Sequence, residues 1–165
     1  MLNIVLVEPE IAYNAGNIAR TCAVSGARLH MVRPFGFELD DKKLKRAGLD
    51  YWNMLDIHYY DSFLEVKEKF PEATFLYATT KGGNIYTDVK IPDNAFIVFG
   101  KETKGLPEEL LEANLSSCIR IPMVEGARSM NLCNSVAVIL YEGLRQNEFS
   151  NMTLYGKLKD HIDKI

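Results

Sequence analysis

Cysteine is scarce in this 165-residue chain: Cys22, Cys118 and Cys133 are odd in number, show no CxxC spacing and lie in apolar segments. That pattern argues against a disulfide framework or a thiolate metal centre, and the three read as small buried hydrophobes. Histidine is equally sparse, and His30, His58 and His161 have no metal-ligand spacing, so no metal is expected. Long hydrophobic runs are missing as well. None approaches the roughly 20 residues of a membrane span, and MLNIVLVEPE has neither a basic stretch before an apolar core nor a small-residue cleavage site. A soluble, cytoplasmic protein without membrane contact is the expectation. Positive charge is in short supply too, with 19 Lys and Arg against 22 Asp and Glu for a formal net charge of −3. No global field draws in nucleic acid, so such a partner must be met by a local patch.

The usual nucleotide fingerprints are also lacking. No GxGxxG follows a strand segment, which removes the ordinary dinucleotide fold. Gly100-KETK-Gly105 has the spacing of a phosphate loop, but Leu106 and Pro107 stand where that loop needs Lys and Ser or Thr. Ser129 has no GxSxG context and no neighbouring histidine, so a nucleophile triad is a poor reading.

What is present is strand alternating with helix. Hydrophobic residues make up 47% of the chain, and its length suits one domain, taken as residues 1–149, with a tail over 150–165 of unknown role. Asn3 to Val7 is a continuous apolar run, as in a strand buried on both faces. Asn14 is positioned to cap a helix through Ser25, ended by Gly26. Strands follow at Ala27 to Val32, Asp56 to Tyr60, Thr74 to Thr79, Ala95 to Phe99 and Cys118 to Ile121. Helices are read at Lys42 to Ala47, from Asp61 or Ser62 to Phe70, at Glu108 to Ala113 and at Asn131 to Asn147. The last carries an apolar stripe of Leu132, Val136, Ile139, Leu140 and Leu144. The fold class is α/β, a mostly parallel sheet with helices on both faces.

Three polar clusters fall at C-terminal strand ends, where α/β proteins place ligands. They are Asn14 to Arg20 (NAGNIAR), Phe99 to Pro107 (FGKETKGLP), and Ile121 to Met123 with Arg128 to Glu142 (RSMNLCNSVAVILYE). Singly, each is a weak signal, and the first reads equally well as a capped helix start. Their order and spacing from Leu2 to Gln146 resemble the SpoU branch of the SPOUT RNA 2′-O-methyltransferases, closest to its small single-domain members that modify the wobble nucleotide of leucine tRNAs.

The resemblance implies a C-terminal trefoil knot, a homodimer, a tRNA partner and S-adenosylmethionine as methyl donor with no metal. It places the cofactor against Ala78, Thr79, Gly100, Glu102, Ile121, Met123, Ser129, Met130 and Leu132. It puts Arg20, Asn14 and Tyr141 at the reaction centre, with Glu102, Ser129 and Asn131 as further candidates. Family accounts give Arg20 the activation of the ribose hydroxyl; a guanidinium charged at neutral pH is better suited to holding the target phosphate. Ser129 and Asn131 also read as caps of the last helix, and Tyr141 as ordinary helix packing.

RNA contact falls to Arg33, Lys42, Lys43, Lys45 and Arg46, joined by Lys101, Lys104, Arg128 and Arg145, or else that run is a solvated face. The competing class is a non-catalytic RNA-binding or ribosome-associated module of the same fold.

Overall fold

Strand β1 (Asn3–Val7) is buried along its whole length because its side chains alternate between two apolar layers. Leu2, Ile4 and Leu6 join one core, while Val5 and Val7 join the other. The computed structural model describes residues 1–38 and 54–156. Within them β2 (Arg28–Val32), β3 (Ile57–Tyr60), β4 (Phe75–Ala78), β5 (Asn84–Ile85), β6 (Phe96–Phe99) and β7 (Cys118–Arg120) join β1 in one sheet. The order is β3-β2-β1-β6-β4-β7-β5, and all six pairings are parallel.

Helices cover both faces. Helix α1 (Ala12–Ser25) places Ile18 and Cys22 in the first core, where α4 (Leu132–Gln146) adds Val136, Ile139, Leu140 and Leu144. On the opposite face α2 (Phe63–Lys69) contributes Val66 and α3 (Glu108–Glu112) contributes Leu111, packed with Tyr77, Phe96 and Val98. The expected α/β class and two-sided helical cover are therefore present, with the sheet parallel throughout the described strands.

Local chemistry explains most boundaries. Gly26 ends α1 at φ 70° in the left-handed region, its N–H donating to the Cys22 carbonyl. Of the two expected starts, Asp61 and Ser62, it is Ser62 that caps α2, accepting from the Glu65 N–H. Two expectations are corrected. Asn14 does not cap α1: the helix starts at Ala12 after Ile11, and the Asn14 side chain bonds across to other segments. Between the strands expected at Thr74 to Thr79 and Ala95 to Phe99, where no strand was read, lies β5, two residues paired to β7 and too short to carry any periodicity. The short helix read at Lys42 to Ala47 lies outside the described residues, as do His161 and residues 157–165.

After α4 the chain turns back, and Phe149 and Met152 pack on the first core. No described helix is long and apolar enough to cross a membrane.

Candidate functional site

At the C-terminal ends of β4, β6 and β7 lies a cleft of about 490 Å³. Its walls are the residues that leave those strands. Ala78 and Thr79 come from β4, the loop from Gly100 to Leu106 from β6, and Ile121 and Met123 from β7. Ser129, Met130, Asn131 and Leu132 close it from the start of α4, and Asn14 reaches in from α1. All nine residues anticipated as cofactor contacts thus line one cavity. Parallel strands open their loops on the same edge, so segments far apart in sequence converge there.

The loop after β6 is built by a close approach. A Cβ on Gly100 would sit 2.1 Å from the Gly105 carbonyl carbon, so only glycine fits. Gly105 holds φ 70° and donates its N–H to the Lys101 carbonyl at 2.8 Å, closing a tight loop.

That loop is locked to the start of α1 by reciprocal carboxylate bonds. Glu102 accepts from the Glu10 N–H at 2.8 Å, the Ile11 N–H at 3.2 Å and Asn14 Nδ2 at 2.9 Å. Glu10 in turn accepts from the Thr103 N–H at 3.1 Å and from Thr103 Oγ1 at 2.8 Å. The Ile11 N–H belongs to the N-cap of α1 and has no intrahelical partner, and a carboxylate placed there also complements the helix dipole.

Asn131 links the third segment. Its Oδ1 accepts from the Cys133 and Asn134 N–H groups, while its Nδ2 donates to Asn14 Oδ1 at 3.2 Å. The cap reading of Asn131 is correct, and the same side chain faces the cleft. Cys133 is only partly buried; its Sγ sits 3.3 Å from Asn14 Oδ1, and desolvation raises its thiol above the usual range. Cys22 and Cys118 are fully buried.

Two anticipated reaction-centre residues stand apart. Arg20 is exposed on α1 and Tyr141 exposed on α4, and neither lines the cleft. Glu10 and Thr103 went unnoticed in the sequence; an acidic residue just ahead of a helix start was the available signal. Lys81, Lys101, Lys104 and Arg128 ring the cavity, and Lys101 is paired with Glu8 at 2.6 Å, which raises its ammonium above the ordinary value. Lys42 to Arg46 lie outside the described residues.

Similarity to known proteins follows the same geometry. The tRNA (cytidine(34)-2′-O)-methyltransferase of Escherichia coli (strain K12) is 49% identical over 150 residues, covering 88% of this chain and 94% of its own. A solved structure described as giving insights into the 2-OH methylation of C/U34 on tRNA superposes with a TM-score of 0.85 at 43% identity, covering 90% of this chain and 97% of that one. The SpoU methyltransferase AviRb of Streptomyces viridochromogenes, solved with the cofactor AdoMet, shares the fold with a TM-score of 0.79 at 23% identity, over 90% of this chain and 58% of that one. The SpoU rRNA Methylase family profile matches residues 1–141, which contain all three polar clusters up to Tyr141, and this chain belongs to that family.

Proposed function

We propose that this protein transfers the methyl group of S-adenosylmethionine to the ribose 2′-hydroxyl of nucleotide 34, cytidine or uridine, in tRNA. The observation that carries the reading is the convergence of Ala78–Thr79, Gly100–Glu102, Ile121–Met123 and Ser129–Leu132 on one cleft, in a chain 49% identical to an enzyme named for that reaction.

The cleft suits the donor. Its volume falls in the range of small-molecule sites, and it combines apolar surface from Ile121, Met123 and Leu132 with main-chain groups of extended segments. The absent Cβ at Gly100 keeps the backbone loop tight enough to serve as a wall. When bound there, the cofactor supplies an electrophilic methyl group on a leaving group that is already activated.

The chain's own task is then alignment and proton management. The bonded set Asn131, Asn14 and Glu102 fixes the cleft walls relative to α1, and such positioning is worth several kcal/mol of a two-reactant barrier. Arg20 lies six residues beyond Asn14 on the same helix, about 9 Å along its axis. A guanidinium there holds the phosphate beside the target ribose and favours the ionised hydroxyl by its charge. Tyr141 is assigned to the same reaction centre from α4.

Three finer features belong to this reading. The trefoil knot is supported by the sheet order: β7, the last strand in sequence, lies between β4 and β5, two strands that precede it in the chain. A homodimer is supported by large apolar side chains left exposed on the α1 and α4 layer, Tyr13, Val24 and Tyr141. Leucine tRNAs are the substrates that the family resemblance implies.

The test is incubation of the purified protein with methyl-labelled S-adenosylmethionine and tRNA, followed by mass mapping of the nucleotides. A 2′-O-methyl group at position 34 is expected. Calorimetric binding of the cofactor without any transfer would replace this reading by a non-catalytic RNA-binding module.

A further inference from the structure

A second concavity of about 390 Å³ opens beside the cofactor cleft, at the end of β1. The two cavities share the walls Lys81, Lys101, Lys104, Gly105 and Leu106, so whatever fills one is the immediate neighbour of what fills the other. The floor is apolar, with Val7 and Leu106 buried beneath it. Around it stand three ammonium groups and two carboxylates, those of Glu8 and Glu108. Lys101 is held by Glu8 and Lys81 by Glu108, whereas Lys104 has no partner among the described residues.

The Lys81–Glu108 pair is exposed, with 60% and 71% of the two side chains accessible. Water and salt screen exposed pairs of this kind, so a phosphodiester, which releases counterions on binding, competes with Glu108 for Lys81. Polyanion binding is the chemistry that fits a small apolar floor ringed by amines. A nucleotide offers both halves, a flat base or ribose for the floor and a phosphate for the rim.

We propose that this second cavity seats the nucleotide adjoining the one that is methylated, its phosphate taken by Lys81 and Lys104 and its base or sugar resting on Val7 and Leu106, with Glu108 as the anion it displaces. The assignment rests on tRNA being the substrate, and it adds a subsite outside the cofactor cleft. Glu108 lines only this second cavity, which makes it a selective probe.

The experiment is titration of the full chain against a fluorescent tRNA transcript over a series of salt concentrations. Lys81→Gln and Lys104→Gln should each weaken binding by about five- to tenfold and lower the salt slope by about 1, the signature of one lost phosphate contact. Lys81→Arg should restore it. Glu108→Gln should move binding the other way, tightening it by about two- to fivefold, because it removes the competing anion. Mere damage to the local fold would send the Lys81 and Glu108 variants in the same direction. A Glu108→Gln variant that binds no tighter, or lysine variants with an unchanged salt slope, would overturn the subsite and leave methyl transfer at position 34 standing. A wild-type chain that binds no tRNA overturns both.

Discussion

Gly100 shows how one missing atom shapes the cleft. Its neighbours leave 2.1 Å where a Cβ would stand, so Gly100→Ala must push the Lys101 to Leu106 loop outward. Overpacking of that kind costs about 1–3 kcal/mol. Cofactor affinity should fall at least about tenfold, at about 1.4 kcal/mol per tenfold, as calorimetry would show; unaltered affinity would remove the loop from the site. Arg20 poses the opposite case, a functional assignment from outside the cleft lining. Arg20→Ala should leave cofactor binding intact and reduce methyl transfer by about 100-fold or more, the scale of lost alignment. Arg20→Lys should rescue little, since an ammonium cannot grip a phosphate with two parallel donors. Full activity in Arg20→Ala would end that assignment. At this scale the sequence was readable where chemistry is local, as with Gly26 at the end of α1 and the Asn131 cap. It was unreadable where a partner lies about ninety residues away: nothing near Glu10 announces Thr103.

Between elements, the decisive contact is the clasp of the turn after β1 with the loop after β6. Glu102 receives three donors from the start of α1, and Glu10 returns two from Thr103. Removing the acceptor leaves donors at a helix start unpaired, at about 1–3 kcal/mol. Glu102→Ala should therefore lower Tm by about 2–4 °C per kcal/mol and weaken cofactor binding together, because one carboxylate holds both the helix and the wall. Glu102→Gln keeps one acceptor oxygen but puts an NH2 group against either the Glu10 N–H or the Ile11 N–H, so it should recover only part of the loss. Scanning calorimetry with and without cofactor checks both. Element types were legible because β1 and β6 are short continuous apolar runs and α4 carries an apolar stripe at helical spacing. The start of α1 was misplaced because Asn14, a favoured cap residue, is drawn instead into the bonds that join α1 to Glu102 and Asn131. Here a tertiary partner overrode local preference.

For the molecule as a whole, strand order was beyond the sequence, since parallel pairing is decided by which apolar faces meet and not by any residue's own propensity. Two-sided burial was legible, and it carries a consequence for acid stability. His30 on β2 is fully buried on the α2 face among Phe70, Phe96 and Tyr60, its ring nitrogens 2.9 Å from the Tyr60 hydroxyl and 3.1 Å from Asn3 Oδ1. Desolvation, reinforced by the neighbouring His58 and Arg28 charges, lowers its pKa from 6.5 to about 3. Between those values the unfolded chain binds a proton that the folded chain refuses, so stability must fall as pH falls. Well above pH 6.5 the group is neutral in both states and contributes no slope. Going from pH 7 to pH 5 should remove roughly 2 kcal/mol. Asp56, held below the usual carboxylate range chiefly by its Arg28 hydrogen bond, acts in the same direction but only near and below its ordinary value of 3.8, outside this window. Urea unfolding at pH 7, 6 and 5 isolates the histidine. His30→Gln keeps a donor and an acceptor yet cannot titrate, so its stability should be lower at pH 7 but nearly flat to pH 5; an equally steep fall in that variant would place the proton uptake elsewhere.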